Sequence, residues 1–184
     1  EMTNVVRYRP NLELWHSVGG QGEQPDEYVQ KKVKGEPHLG ETPTDMIADT
    51  DYFAKKAMDA VERAGKTITT NRDEYEMWKT DIEALSLLTD SYNRKLEAAL
   101  LILEYKYTMD KDLKGDLSLL DQAKEYLKKS LEAYRELAEL TDKTYLYANS
   151  MQTPQRKIPF ENGELFGHWT QCLPEYEKEY ANFA

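Results

Sequence analysis

The 184-residue chain carries 34 acidic against 24 basic residues, a formal net charge of −10 that repels both nucleic-acid phosphates and anionic membrane surfaces. No apolar run approaches the roughly 18 to 20 residues needed to span a bilayer. The length suits one domain with a buried core, and the single Cys172 excludes an internal disulfide and any cysteine-built metal site.

Thirteen Tyr and three Trp form a heavy aromatic load, and their helical spacing points first to core and groove packing. Residues 1–43 differ from the rest. "VVRYRPNLELWHSVGG" is strand-like around residues 5–8 and is broken by Pro10 and by Gly19-Gly20. "QGEQPDEYVQKKVKGEPHLGE" follows, with room for one helical turn near Pro25. This part is expected to be an extended interdomain linker that cannot form its own core. The chain opens Glu1-Met2 with no visible signal peptide, which suggests an excised fragment or a processed chain and leaves its location open.

Residues 44–184 are expected to form the domain proper. "TPTDM" starts the first firm helix, with Thr42 as N-cap, Pro43 at the first helical position and Asp45 closing the cap. Met46, Ile47, Phe53, Ala57, Ala60, Val61 and Ala64 make its apolar stripe, and Gly65 stops it. Asn71 with Glu74 signals the next start. From Tyr75 through Trp78, Ile82, Leu85, Leu88, Tyr92, Leu96, Ala99 and Leu103 to Tyr107, apolar residues step by three or four with no Gly or Pro. The spacing predicts a helix over 71–109, roughly 58 Å long at 1.5 Å per residue. "DKDLKGD" ends it. A third helix is predicted over 117–149, then a loop with Pro154 and Pro159, then a last helix over 168–183. The expected fold is an all-α, up-and-down bundle of about four helices behind an irregular N-terminal segment. No repeat of 30 to 45 residues argues for a solenoid.

The pattern holds little chemistry. His16, His38 and His168 lie far apart, and no His-Glu-x-x-His or Glu-x-x-His pair supports a metal site in the bundle. Glu164 and His168 alone are a weak metal signal. In "DKDLKGDLSLLD", Asp110, Asp112, Gly115 and Asp116 follow a calcium-loop pattern, but Lys114 puts a cation at a ligand position and Asp121 is short for the closing one. An interhelix turn explains the stretch better. No nucleophile elbow or phosphate loop occurs, and Cys172 one turn after His168 reads as packing. Carboxylates such as Glu175, Glu177 and Glu179 are too numerous to mark a site. No cofactor is expected.

The stretch "LTDKTYLYANSMQTPQRKIPF", residues 140–160, changes character from charged to amide-, guanidinium- and ring-bearing. Tyr145, Asn149, Gln152, Gln155, Arg156 and Trp169 would gather at one end of the bundle, a mixture suited to a polar ring-shaped ligand such as a sugar, or to a neighbouring domain. Helix-end packing and surface ion pairs explain the same residues more simply. This stretch, with "HWTQCLPEYEKEYANF" after it, resembles the C-terminal helical region of large secreted polysaccharide-utilisation proteins of Bacteroidetes-type bacteria, described mostly as glycoside-hydrolase-like or uncharacterised. The likeness spans residues 140–183 and contains no catalytic motif, so no functional residue is carried over. It implies a domain of a larger carbohydrate-active protein, periplasmic or on the cell surface.

Three functions follow from these observations. The first is a non-catalytic helical accessory domain that packs on an upstream domain of its parent chain and can contribute to polysaccharide binding. The second is a free-standing interaction module with a groove for a partner helix or peptide. The third is a glycoside-hydrolase fragment lending acids to a shared site. Nucleic acid and membrane insertion are not expected.

Overall fold

A computed structural model describes residues 22–112, 115–148, 158–159 and 165–183, so the strand-like segment at residues 5–8 lies outside the described residues. The described chain is all-α, with five helices: α1 (Pro25–Lys34), α2 (Pro43–Gly65), α3 (Arg72–Asp112), α4 (Leu117–Thr144) and α5 (Trp169–Phe183). A two-residue antiparallel pairing of Ile158–Pro159 with Leu165–Phe166 precedes α5. No helix among the described residues is long and apolar enough to cross a membrane.

Local chemistry sets several of these boundaries. The Thr42 hydroxyl accepts from the Asp45 amide at 3.2 Å, and the Asp45 carboxylate accepts from the Thr42 amide at 3.0 Å, a reciprocal cap with Pro43 behind it. Gly65 ends α2 where a Cβ would lie 2.2 Å from the Tyr75 hydroxyl oxygen. Asp116 caps α4 by accepting from the Ser118 amide at 2.9 Å. In the same turn, a Cβ on Gly115 would meet Tyr105 at 2.4 Å and Met109 at 2.6 Å, so close packing on α3 accounts for the glycine. Asn71 adopts φ 53°, not the extended conformation of a capping residue.

From α2 to α5 the helices run up and down in turn. Thr50 bonds Asn93 while the Tyr75 hydroxyl donates to the Val61 carbonyl, so α2 and α3 are antiparallel. Ser91 and Ser130 each donate to the other's carbonyl, at 3.0 and 2.8 Å, and fix the antiparallel α3–α4 contact. Ala98 and Ala123, both fully buried, share a cluster further along the pair. Small residues at these positions let the two backbones come close. α5 returns along α4, with Tyr134 stacked on Tyr176 at 3.8 Å and Arg135 paired to Glu177 at 2.9 Å.

Two expectations need correction. The single turn near Pro25 is a ten-residue helix, held because Val29, 1% exposed, fills the gap between Ile47 and Leu100. The third helix stops at Thr144 instead of 149, where Tyr145 turns extended (φ −121°, ψ 141°). Distant groups hold Tyr145 there, as the site geometry shows.

Packing leaves α3 two open edges. Glu76, Glu83, Asp90, Glu97 and Glu104 recur every seven residues along one of them. Trp78, Leu85 and Tyr92 recur every seven along the other, each more than half exposed.

Candidate functional site

The predicted binding end is built where α3 begins, α4 ends and α5 starts. The Tyr145 hydroxyl donates to the Asp81 carboxylate of α3, and burial together with that carboxylate pushes the Tyr145 phenol up to about 12. Its ring lies 5.7 Å from that of Trp169, tilted by 55°. His168, 9% exposed, lies edge-on to Trp169 at 5.5 Å. Its Nδ1 accepts from the Thr170 amide at 3.2 Å, which leaves Nε2 to donate to the Tyr145 carbonyl at 3.1 Å. Both ring nitrogens are therefore engaged, one ordering the start of α5 and the other holding Tyr145 out of the helix. Leu146 and Tyr147, the next two residues, are 83% and 67% exposed. The corner is a braced aromatic edge with two apolar side chains offered to solvent.

A second feature is a charged groove of about 310 Å³ between α3 and α4, lined by Leu87, Asp90, Arg94, Lys129, Glu132 and Glu136. Arg94 dominates it. Its Nε donates to Asp90 at 2.9 Å, one terminal nitrogen to Glu97 at 2.5 Å and the other to Asp51 of α2. Burial opposes the Arg94 charge, yet the hydrogen bonds it donates to Asp90 and Asp51 outweigh it and raise the guanidinium above its ordinary value. Burial likewise pushes the Glu97 carboxyl up, against the pull of Arg94. These acids are committed to one internal cation, which is a scaffold arrangement and not a pair of free carboxylates across a cleft.

Of the predicted site residues, Tyr145 and Trp169 come together. Asn149, Gln152, Gln155 and Arg156 lie outside the described residues, as does Glu164. Cys172 is fully buried, with its thiol 3.9 Å from the His168 carbonyl and not aimed at the imidazole, and burial pushes it up to about 11. Among the described residues no group of three His, Cys, Asp or Glu could hold a metal ion. Asp81 and the Arg94 clasp were missed. Asp81 is one of 34 acids, and its partner is 64 residues away. Arg94 did carry a signal, an acid four residues before it and another three after, on one helix face.

No family model matches the chain, and no curated protein matches it. Among solved structures, a GH138 enzyme targeting pectin rhamnogalacturonan II is similar over 88% of this chain, with 33% sequence identity and a TM-score of 0.77. This helical fold occurs inside a carbohydrate-active enzyme. The chain spans 23% of the length of the enzyme it matches.

Proposed function

We propose that this chain is a non-catalytic helical accessory domain of a larger carbohydrate-processing protein, exported to the periplasm or the cell surface. It packs on an upstream domain of its parent chain through aromatic residues, and its Tyr145–Trp169 end contributes to glycan binding. The observation that carries this reading is the match to 23% of a GH138 enzyme, at 33% identity over 88% of this chain. That enzyme targets a pectic polysaccharide, which makes pectic glycans the first ligands to try here. Two structural features support a non-catalytic role. The groove carboxylate Asp90 is tied to Arg94, and the aromatic end offers ring and apolar surface at Leu146 and Tyr147.

The test is calorimetric titration of the chain with pectic and neutral polysaccharides, beside the double variant Tyr147→Ala with Arg156→Ala. Tyr147 is chosen over Trp169 because it is 67% exposed, whereas Trp169 packs on the Leu131–Tyr134 cluster. Binding by the chain, weakened at least about tenfold (about 1.4 kcal/mol) in a folded double variant, supports the reading. Absence of binding to every polysaccharide, or equal binding by the variant, removes the glycan role.

The seven-residue spacing of exposed Trp78, Leu85 and Tyr92 favours a second reading, an interaction module that seats a partner helix or peptide along α3.

A further inference from the structure

The aromatic corner extends onto α3. Met77 and Trp78 lie four and three residues before Asp81, so both neighbour it one turn nearer the start of the helix, and they are 70% and 60% exposed. The Asp81 carboxylate in turn holds the Tyr145 hydroxyl, and Leu146 and Tyr147 follow Tyr145 into solvent. Ring and apolar groups from two parts of the chain therefore flank one Asp81–Tyr145 bond. The charge around that bond has one sign. Residues 72–83 of α3 carry five acids against Arg72 and Lys79, and Arg72 is already paired to Glu76 at 2.9 Å. Residues 137–144 of α4 carry the exposed Glu139 and Asp142 against Lys143. His168 adds no charge, because its Nδ1 accepts from the Thr170 amide and only a neutral imidazole has a nitrogen free to accept. Residues 149–157 and 160–164, outside the described residues, hold Arg156 and Lys157 against Glu161 and Glu164, so they leave the balance as it is.

Resting on the glycan role proposed above, we infer that this corner takes an uncharged glycan, with Trp78 as a second ring beside Tyr147, and turns away polyuronate. Exposed rings offer apolar surface to the C–H faces of a sugar, and that contact is indifferent to charge. The surrounding carboxylates accept hydrogen bonds from sugar hydroxyls, which every neutral pyranose supplies. A polyuronate brings one carboxylate per sugar, ionised at neutral pH, into a field that is already negative. The repulsion reaches furthest in dilute salt, where the screening length is about 30 Å, and it is almost gone at 1 M, where that length is about 3 Å. Charge thus sets which glycans approach the corner, and the rings Trp78 and Tyr147 hold the ones that do.

Calorimetric titration with one backbone in two charge states tests it: polygalacturonate and its highly methyl-esterified form. In about 0.01 M salt the esterified form is expected to bind at least about tenfold tighter, and the gap to close towards 1 M. Glu139→Lys with Asp142→Lys, both at exposed positions, is expected to narrow the low-salt gap at least about threefold. Trp78→Ala is expected to weaken binding of the esterified form at least about fivefold, with helicity by circular dichroism unchanged because the side chain is 60% exposed. Equal or tighter binding of polygalacturonate in dilute salt overturns the inference and leaves the glycan role standing. A gap that the double Lys variant does not change overturns charge as its cause, and full affinity in Trp78→Ala removes Trp78 from the surface. Binding of neither form also overturns the inference. If neutral polysaccharides of other composition still bind, the glycan role survives it; if none binds, both fall.

Discussion

Tyr134 sits in the core cluster between α4 and α5, 1% exposed, with its ring stacked on Tyr176 and its hydroxyl buried with only the Cys172 thiol to engage it among the described residues. In the unfolded chain that hydroxyl is hydrated, so folding strips it of water and returns at most the weak partnership of the Cys172 thiol. Such a loss costs about 1 to 3 kcal/mol. Burial also drives the Tyr134 phenol far above its ordinary pKa, so it stays neutral and the cost is that of a hydroxyl, not of a charge. Tyr134→Phe keeps the ring, its stack at 3.8 Å and its contacts in the Leu131, Leu137, Cys172 cluster, and removes only the stranded group. The expected gain is about 1 to 2 kcal/mol, a rise of roughly 2 to 4 °C in Tm per kcal/mol for a chain of this size. Urea unfolding followed by far-UV circular dichroism would show a higher midpoint at unchanged slope. Tyr134→Ala, which deletes the ring, should instead lose about 3 to 5 kcal/mol. A Phe variant less stable by about 1 kcal/mol or more, at unchanged slope, would refute the argument, because the hydroxyl must then be paired.

Gly65→Ala should destabilise by about 1 to 3 kcal/mol in thermal melts, since the new methyl would displace Tyr75 and break its 3.1 Å bond to the Val61 carbonyl. Ser91→Leu should cost more than Ser91→Ala, about 1 kcal/mol for the lost hydrogen bond against 1 to 3 or above for forcing α3 from α4. Equal losses would show that the two helices are not in tight contact. Glu23 is held well down, from 4.5 to about 2, first by its hydrogen bond from Lys31 and also by the Leu39 amide and His38. A lowered carboxyl stabilises the fold above its ordinary value, so this contribution should fade as pH falls from about 4.5 towards 2. Melts of Glu23→Gln across that window should show a flatter pH dependence than the parent chain; identical slopes would exclude Glu23 as a source of acid sensitivity.

The sequence made helices legible where the deciding interactions are local. Thr42, Pro43 and Asp45 lie within one turn of each other, and an uninterrupted apolar rhythm predicted α3 to within a few residues at either end. It failed where a distant group decides. Periodicity carries the third stripe through Tyr145, but the helix stops at Thr144 because Asp81 and His168 take the Tyr145 hydroxyl and carbonyl. α1 looked too short to matter because its stability comes from Val29 meeting Ile47 and Leu100, not from its own ten residues. At the candidate site, the Tyr145–Trp169 pairing was visible as composition, while its Asp81 brace was hidden among many equivalent acids.

α3 runs for 41 residues, about 60 Å, and every other described helix meets it or a neighbour fixed to it. Near one end it holds Tyr145 through Asp81. Near the other it holds α1, through Lys32 on Glu104 and through Asp26 on Tyr107. The two extremities are thus bolted to a single strut with no hinge between them. Whatever grips the Tyr145 corner also fixes the bearing of the α1 corner, so the bundle would transmit orientation across its whole length as a rigid lever.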